Sequence, residues 1–319
     1  MNMDELKASL DQLSLKMTEK TSSKLADELN SLVESSGKKF RPGLLYLIGQ
    51  LFNLEIKDLT PFARAVELTH LASLIHDDVI DGSDTRRNSP TLNALHNNTT
   101  SILAGDYVLA TIMKELALTY KQDILIDLTV AIQDLADGEW LQYTLKKKDF
   151  VTKKELREIA IKKTGSLIRW CLTTPGKLAG FDNIPMLSDI GERIGLIFQM
   201  ADDIVDSTVT SGKPAFLDIL NGQINFVTEK LCLIYPELKE RVYQLRRDPQ
   251  APIPWTAEQY FHAIQKVDED INAEKEIILN NLKQICEQKD KVELMPLFEL
   301  MVYKIQSNYE SVLNGPEKN

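Results

Sequence analysis

The sequence predicts an all-α protein, and three observations carry that prediction. Helix formers dominate while helix breakers are few, with 14 glycines and 12 prolines among 319 residues. Aromatic and β-branched residues nowhere collect into the alternating, turn-bounded runs that strands require. Apolar residues instead recur at three- and four-residue intervals, which lays them along one stripe of a helix. At 43% hydrophobic residues the chain can bury a large core. It exceeds the usual size of one domain, yet residues 1–319 read as a single helical domain.

From Met1 to about Ser35, Leu6, Leu10, Leu13, Met17, Leu25, Leu29 and Leu32 form such a stripe, interrupted near Thr21-Ser22-Ser23. It is read as packing or dimer surface. Ser36-Gly37-Lys38-Lys39-Phe40-Arg41-Pro42 is a basic turn ahead of an apolar helix over 43–51. Pro61 then opens a helix, because its fixed φ and missing N–H suit a first turn; this helix runs into Asp77. The polar stretch from Gly82 to Pro90 is a loop. Helices follow over 108–118 and 124–143, the second containing Gly138, which costs up to about 1 kcal/mol relative to Ala and so marks a close helix contact. Lys146 to Lys148 is a solvated turn. Thr152 and Glu155 have capping-box spacing and open a helix that ends at Gly165. Helices over 166–178 and 187–206 come next, then a loop at Ser211-Gly212-Lys213-Pro214. Pro249 to Pro254 is a linker, 257–287 is a charged amphipathic helix, and the tail from Asn314 frays.

The formal net charge of -10 argues against a nucleic-acid partner, since phosphate backbones are bound by clustered Lys and Arg. Cys171, Cys232 and Cys286 are far apart and odd in number, as expected of incidental thiols in a reducing compartment. Residues 1–15 lack the basic and apolar regions of a signal peptide. No apolar run approaches the ~20 residues that span a bilayer, so a cytoplasmic protein without a transmembrane segment is expected.

The chemistry is concentrated in two copies of Asp-Asp-x-x-Asp: Asp77-Asp78-Val79-Ile80-Asp81 and Asp202-Asp203-Ile204-Val205-Asp206. Residues four apart on a helix are turned by about 400°, so Asp77 stacks with Asp81 and Asp202 with Asp206. Mg²⁺ suits such oxygen pairs, because it takes one or two carboxylates and fills its shell with phosphate and water. A solvated acidic helix end would explain one copy. Two copies, each directly after an apolar run, are costly to bury without a compensating cation. Cations stand beside both: Arg86 and Arg87 follow the first, suited to a bidentate grip on phosphate, and Lys213 follows the second. Lys38, Lys39 and Arg41 at a helix start form either a solvated turn or an anion seat. His70, two turns before Asp77, shares its face, while Lys162-Lys163-Thr164-Gly165 either faces the same cavity or closes a helix C-terminus.

Together these residues resemble the trans-isoprenyl diphosphate synthases, the polyprenyl synthetase family, from about Gly37 to Gly222. Within it they are most similar to catalytic subunits of long-chain hexaprenyl and heptaprenyl diphosphate synthases. Terpene cyclases share the first motif but carry a different second one. The resemblance implies a helical bundle around a central cavity and head-to-tail condensation of isopentenyl diphosphate onto an allylic diphosphate. It implies that Lys38, Arg41, His70 and Arg87 bind isopentenyl diphosphate. Arg86, Lys163, Thr164, Gln199 and Lys213 would surround the allylic diphosphate, with Lys163, Thr164 and Gln199 beside the developing cation. Asp77, Asp78, Asp81 and Asp202 would bind Mg²⁺, with Asp203 and Asp206 as further ligands or behind them. Water would quench the cation, so an apolar pocket must adjoin the metal.

In the family, bulky residues four and five before the first aspartate limit product length. Ser73, Ala72, Thr69 and Ala65 are small here, which implies a long-chain product of the kind used for quinone side chains, although Leu109, Ile112 and Met113 could form a floor. The alternatives are a short-chain farnesyl or geranylgeranyl synthase and a non-catalytic diphosphate-binding subunit of a heteromeric synthase. After the second motif the family pattern Gly-Lys-Pro-x-Gly-x-Asp-Leu-x-x-Gly-Lys-x-Thr is altered at Phe216, Gln223 and Asn225, which removes one cation. Such losses are compatible with long-chain members that work with a second, non-identical subunit, and would also fit a weakened enzyme; the chain is expected to form a homodimer or a heterodimer with a small regulatory subunit.

Overall fold

The computed structural model describes residues 3–16, 29–30, 39–86, 89–119, 122–148, 150–208 and 215–313. The helices are α1 (Met3–Asp11), α2 (Phe40–Leu51), α3 (Ile56–Ile80), α4 (Leu92–Leu95), α5 (Asn98–Thr119), α6 (Gln122–Leu145), α7 (Lys153–Ala160), α8 (Ser166–Leu178), α9 (Ile184–Val205), α10 (Leu217–Leu220), α11 (Phe226–Ile234), α12 (Lys239–Arg247), α13 (Ala257–Gln288), α14 (Met295–Gln306) and α15 (Glu310–Leu313). A π-helical turn over Ile161–Gly165 joins α7 to α8. The all-α expectation holds. Within the expected loop after Asp81 lies a minimal antiparallel ribbon, Thr85–Arg86 against Ser89–Pro90. The chain divides into two compact units, Met1–Ile132 with Leu167–Ser188, and Gln133–Ser166 with Asp189–Asn319.

In the first unit, α3 packs against α2 and α5. Phe62, Val66, Leu68, Ala72 and Ile75 on α3 meet a core that includes Leu45, Leu47 and Ile48 of α2 and Val108 and Ile112 of α5, all buried. The Phe62 ring sits edge-on to Trp170 at 6.2 Å, and the Trp170 indole donates to the Ile124 carbonyl at 3.2 Å. Pro61 does not open α3, which starts at Ile56 and carries the proline inside. The proline removes only the bond to the Lys57 carbonyl, in the exposed first turn where water substitutes. Lys39, at φ 47°, donates from Nζ to the carbonyls of Leu10 at 2.7 Å and Leu13 at 3.3 Å. One lysine of the basic turn thus serves a carbonyl in the last turn of α1 and another just beyond its end. Leu6, Leu13 and Leu29 of the N-terminal stripe are buried; Met17, Leu25 and Leu32 lie outside the described residues.

The second unit is built on α13, whose Ile264, Val267, Ile271, Ile278, Leu282 and Ile285 are buried at helical spacing and which packs on α11 and α14. Glu274 on α13 accepts from Arg157 of α7 at 2.8 Å and also binds Arg193 of α9. The capping box at Thr152 and Glu155 is present. The expected helix end at Gly165 is absent, because the backbone continues through the π turn into α8.

All three cysteines are free. Burial pushes the thiols up, Cys286 to about 11, Cys232 to about 12 and fully buried Cys171 further. Among the described residues no helix is long and apolar enough to cross a membrane.

Candidate active site: two acidic helix ends

Each aspartate motif closes a long helix. On α3, Asp77 is half-buried, Asp78 is buried, and exposed Asp81 is the C-cap, its N–H donating to the Asp77 carbonyl at 2.8 Å. The chain leaves through Gly82 at φ +63°, a left-handed conformation that glycine adopts without side-chain conflict. No basic residue stands in the last turn of α3. Carboxylates therefore crowd the negative end of the helix dipole, each costing about 0.3–1 kcal/mol where exposed. A bound cation would remove that cost.

Asp78 is bound by an arginine of the ribbon. Arg86 grips it through Nε at 2.9 and 3.1 Å and through Nη2 at 2.7 Å. The expectation gave Asp78 to the metal and Arg86 to the allylic diphosphate; the structure engages each with the other. Asp77 and Asp81 are the more exposed carboxylates of the motif. His70 is half-buried on α3, two turns before Asp77. Arg41 is half-buried in the first turn of α2, where its charge acts on the Cys171 thiol. Beside the motif, the His76 Nε2 donates to the Ile102 carbonyl at 3.2 Å and lies 3.6 Å from Asp106. A Cβ on Gly105 would stand 2.2 Å from that nitrogen, so the glycine makes room for the ring. Lys38, Arg87 and Lys213 lie outside the described residues.

On α9, Asp202 is exposed, Asp206 half-buried and Asp203 only 3% exposed. The last turn again lacks a basic residue. Asp203 accepts from the Gln199 amide at 2.9 Å and the Phe226 N–H at 2.8 Å. Burial, reinforced by the nearby Asp218 carboxylate, nevertheless pushes its carboxyl well above the ordinary range. The Thr164 hydroxyl lies 3.4 Å from the Gln199 carbonyl oxygen. Lys163 is paired with Glu139 and donates to Gln142 Oε1 at 2.8 Å; Gln142 in turn donates to Gln223 Oε1 at 2.6 Å.

The π turn carries Lys163 and Thr164, and glycines hold it in place. A Cβ on Gly138 would meet Lys163 Cγ at 2.8 Å and Lys163 N at 3.0 Å, which is the close contact that Gly138 implied. Single π turns are frequent at functional sites. Sequence reasoning passed over Glu139 and Gln142, although Gly138 beside them pointed to this contact. It also gave no role to Asp218, whose N–H reaches both Asp206 carboxylate oxygens at 3.3 Å.

The donor chemistry fits Mg²⁺. Among the described residues no three His, Cys, Asp or Glu side chains form a ready-made cage. Each motif instead presents one or two outward carboxylates, which is what Mg²⁺ takes when phosphate and water complete its shell.

Comparison with known proteins agrees with this inventory. The sequence profile of the family Polyprenyl synthetase matches residues 22–251. A curated "Prenyl transferase" from Synechocystis sp. is 37% identical over 217 residues, covering 64% of this chain and 67% of that protein. A geranylgeranyl diphosphate synthase from Methanosarcina mazei is 30% identical over 206 residues, 61% of this chain and 64% of that protein. The matched stretch is thus about two thirds of the length of these two relatives, and about half the length of some other curated relatives. The crystal structure of heptaprenyl diphosphate synthase from Staphylococcus aureus superposes with a TM-score of 0.76 at 27% identity, over 95% of this chain and 98% of that one. With two acidic helix ends in place and most of its length matched, the chain belongs to the polyprenyl synthetase family, a family of prenyltransferases.

Proposed function

We propose that the chain is a Mg²⁺-dependent trans-polyprenyl diphosphate synthase that condenses isopentenyl diphosphate head to tail onto an allylic diphosphate. One observation carries the reading: α3 and α9 each finish on Asp-Asp-x-x-Asp with no basic residue in the last turn. Bound there, Mg²⁺ supplies positive charge to the diphosphate as the allylic carbon–oxygen bond breaks.

In this reading Asp77 and Asp81 hold Mg²⁺ at the first motif and Asp202 at the second, with Asp206 beside Asp202. Asp78 and Asp203 act from behind, Asp78 by orienting Arg86 and Asp203 by orienting Gln199. Lys38, Arg41, His70 and Arg87 bind isopentenyl diphosphate; Arg86, Lys163 and Lys213 bind the allylic diphosphate. Thr164 and Gln199 turn their dipoles toward the carbon that becomes positive. The double bond of isopentenyl diphosphate then forms the new carbon–carbon bond, and a proton leaves to the departing pyrophosphate, restoring an allylic product.

A long-chain product is supported by the small, buried Ala65, Thr69 and Ala72 along α3. The chain is read as one domain because α6 and α9 each contribute to both units. It is read as cytoplasmic and dimeric, either with itself or with a small second subunit. The test is incubation of the purified chain, alone and with candidate second subunits, with labelled isopentenyl diphosphate, farnesyl diphosphate and Mg²⁺, followed by product chromatography. Absence of any Mg²⁺-dependent elongated product from every combination would refute the proposal.

A further inference from the structure

Behind the second motif lies a buried hydroxyl without a partner. Tyr260, on the first turn of α13, is 4% exposed, and its phenol oxygen is fully buried with no hydrogen bond. Its ring is fixed on two sides, stacked on Trp255 at 5.1 Å and edge-on to Phe216 at 4.9 Å. Phe216 adopts φ 63°, a left-handed conformation unfavourable for a bulky residue. Its N–H donates to the Asp206 carbonyl at 2.8 Å. The aromatic cluster is thereby tied to the end of α9, and the carboxylates of Asp206, Asp218 and Asp203 act electrostatically on the phenol.

Leaving a buried donor unsatisfied costs free energy, so the hydroxyl needs an explanation in another state of the site. Asp203 already accepts bonds at 2.9 and 2.8 Å, and Asp218 accepts from Asn225 at 3.0 Å. Asp206 is the carboxylate tied to the aromatic cluster, since the Phe216 N–H donates to its carbonyl and the Phe216 ring meets that of Tyr260.

We propose that Tyr260 is a positioning residue for the second aspartate motif, its O–H donating to Asp206 when that motif holds a divalent cation and diphosphate. One oxygen of Asp206 then faces the cation while the phenol orients the other, as partners behind metal-ligating carboxylates generally do. The inference rests on the function proposed above.

The test uses the full chain with Mg²⁺ and inorganic pyrophosphate as probes, read by thermal denaturation. Wild type should be stabilised by the two together, and the Mg²⁺ concentration for half-maximal stabilisation should rise on the order of tenfold in Tyr260→Phe. Without ligands Tyr260→Phe should melt at or above the wild-type temperature, since only an unsatisfied hydroxyl is lost. In the Asp206→Ala background, which removes the acceptor, the same change should shift the midpoint no further. An unchanged Mg²⁺ midpoint in Tyr260→Phe, or an equal shift in the Asp206→Ala background, would overturn the role of Tyr260 while leaving the proposed function standing. No stabilisation of wild type by Mg²⁺ and pyrophosphate would overturn both.

Discussion

Gly195 lies against Gly165 so closely that a Cβ on Gly195 would stand 2.2 Å from the Gly165 Cα. Helix α9 and the π turn therefore meet backbone to backbone, and no side chain can swing aside to admit a methyl group. Gly195→Ala should cost roughly 1–3 kcal/mol, the range for overpacking, and should move Lys163 and Thr164 enough to lower activity. Urea denaturation and steady-state kinetics on the same preparation check both; a variant as stable as wild type would show that the contact yields.

The outward carboxylates should separate function from stability. Asp77→Ala and Asp202→Ala should each lower turnover roughly 10²-fold or more with circular dichroism unchanged. Asp81→Asn removes negative charge from the C-terminal end of α3, so in chelator it should raise stability by about 0.3–1 kcal/mol while impairing turnover. Near-normal activity in the two alanine variants would end the metal assignment.

Ala72 has no exposed surface, so Ala72→Phe must push into its neighbours at a cost of about 1–3 kcal/mol. If α3 walls the product cavity, the variant should make a shorter chain, seen by product chromatography. Ser73→Phe, at a half-buried position, gives the same test with less risk to the fold. Unchanged product length in both would move the wall elsewhere.

Asp270 on α13 accepts from Lys153 at 2.8 Å and Lys230 at 2.7 Å. Burial alone would raise its carboxyl, but these two hydrogen bonds outweigh it and hold the group below the usual range. A folded-state value below the unfolded one, about 3.9, contributes stability above that pH and loses it as pH falls through the folded value. Asp270→Asn should thus be less stable near neutral pH by on the order of 1 kcal/mol, with the gap to wild type closing in acid. Urea midpoints across a pH series decide it.

The helical class and the two acidic motifs were legible because both are local: periodicity and i, i+4 spacing need no tertiary information. The Thr152 capping box was legible for the same reason. The partnerships were not. Nothing in the order of residues says that Arg86 returns to Asp78, since the seven intervening residues can turn back in many ways. The sequence left Lys163 either facing the cavity or closing a helix, and nothing in it showed that its bonds run to Glu139 and Gln142 on another helix. Tyr260 carried no signal in its own neighbourhood, because its significance comes from Phe216 and Asp206, far away along the chain. Pro61 misled because a first-turn preference was taken as a start, whereas a proline one turn further in is tolerated when the carbonyl it leaves unbonded, that of Lys57, lies in an exposed first turn.

The segment from Ile161 to Gly165 accommodates one more residue per turn than an ordinary α-helix would. Removing a single residue there, for example Ile161, would let the local backbone relax into regular i to i−4 bonding, and stability should hold or improve. The same deletion would rotate Lys163 and Thr164 by about 100° around the axis, away from Gln142 and Gln199. A shortened chain that is sturdier yet inactive would mark this bulge as an insertion retained for aim.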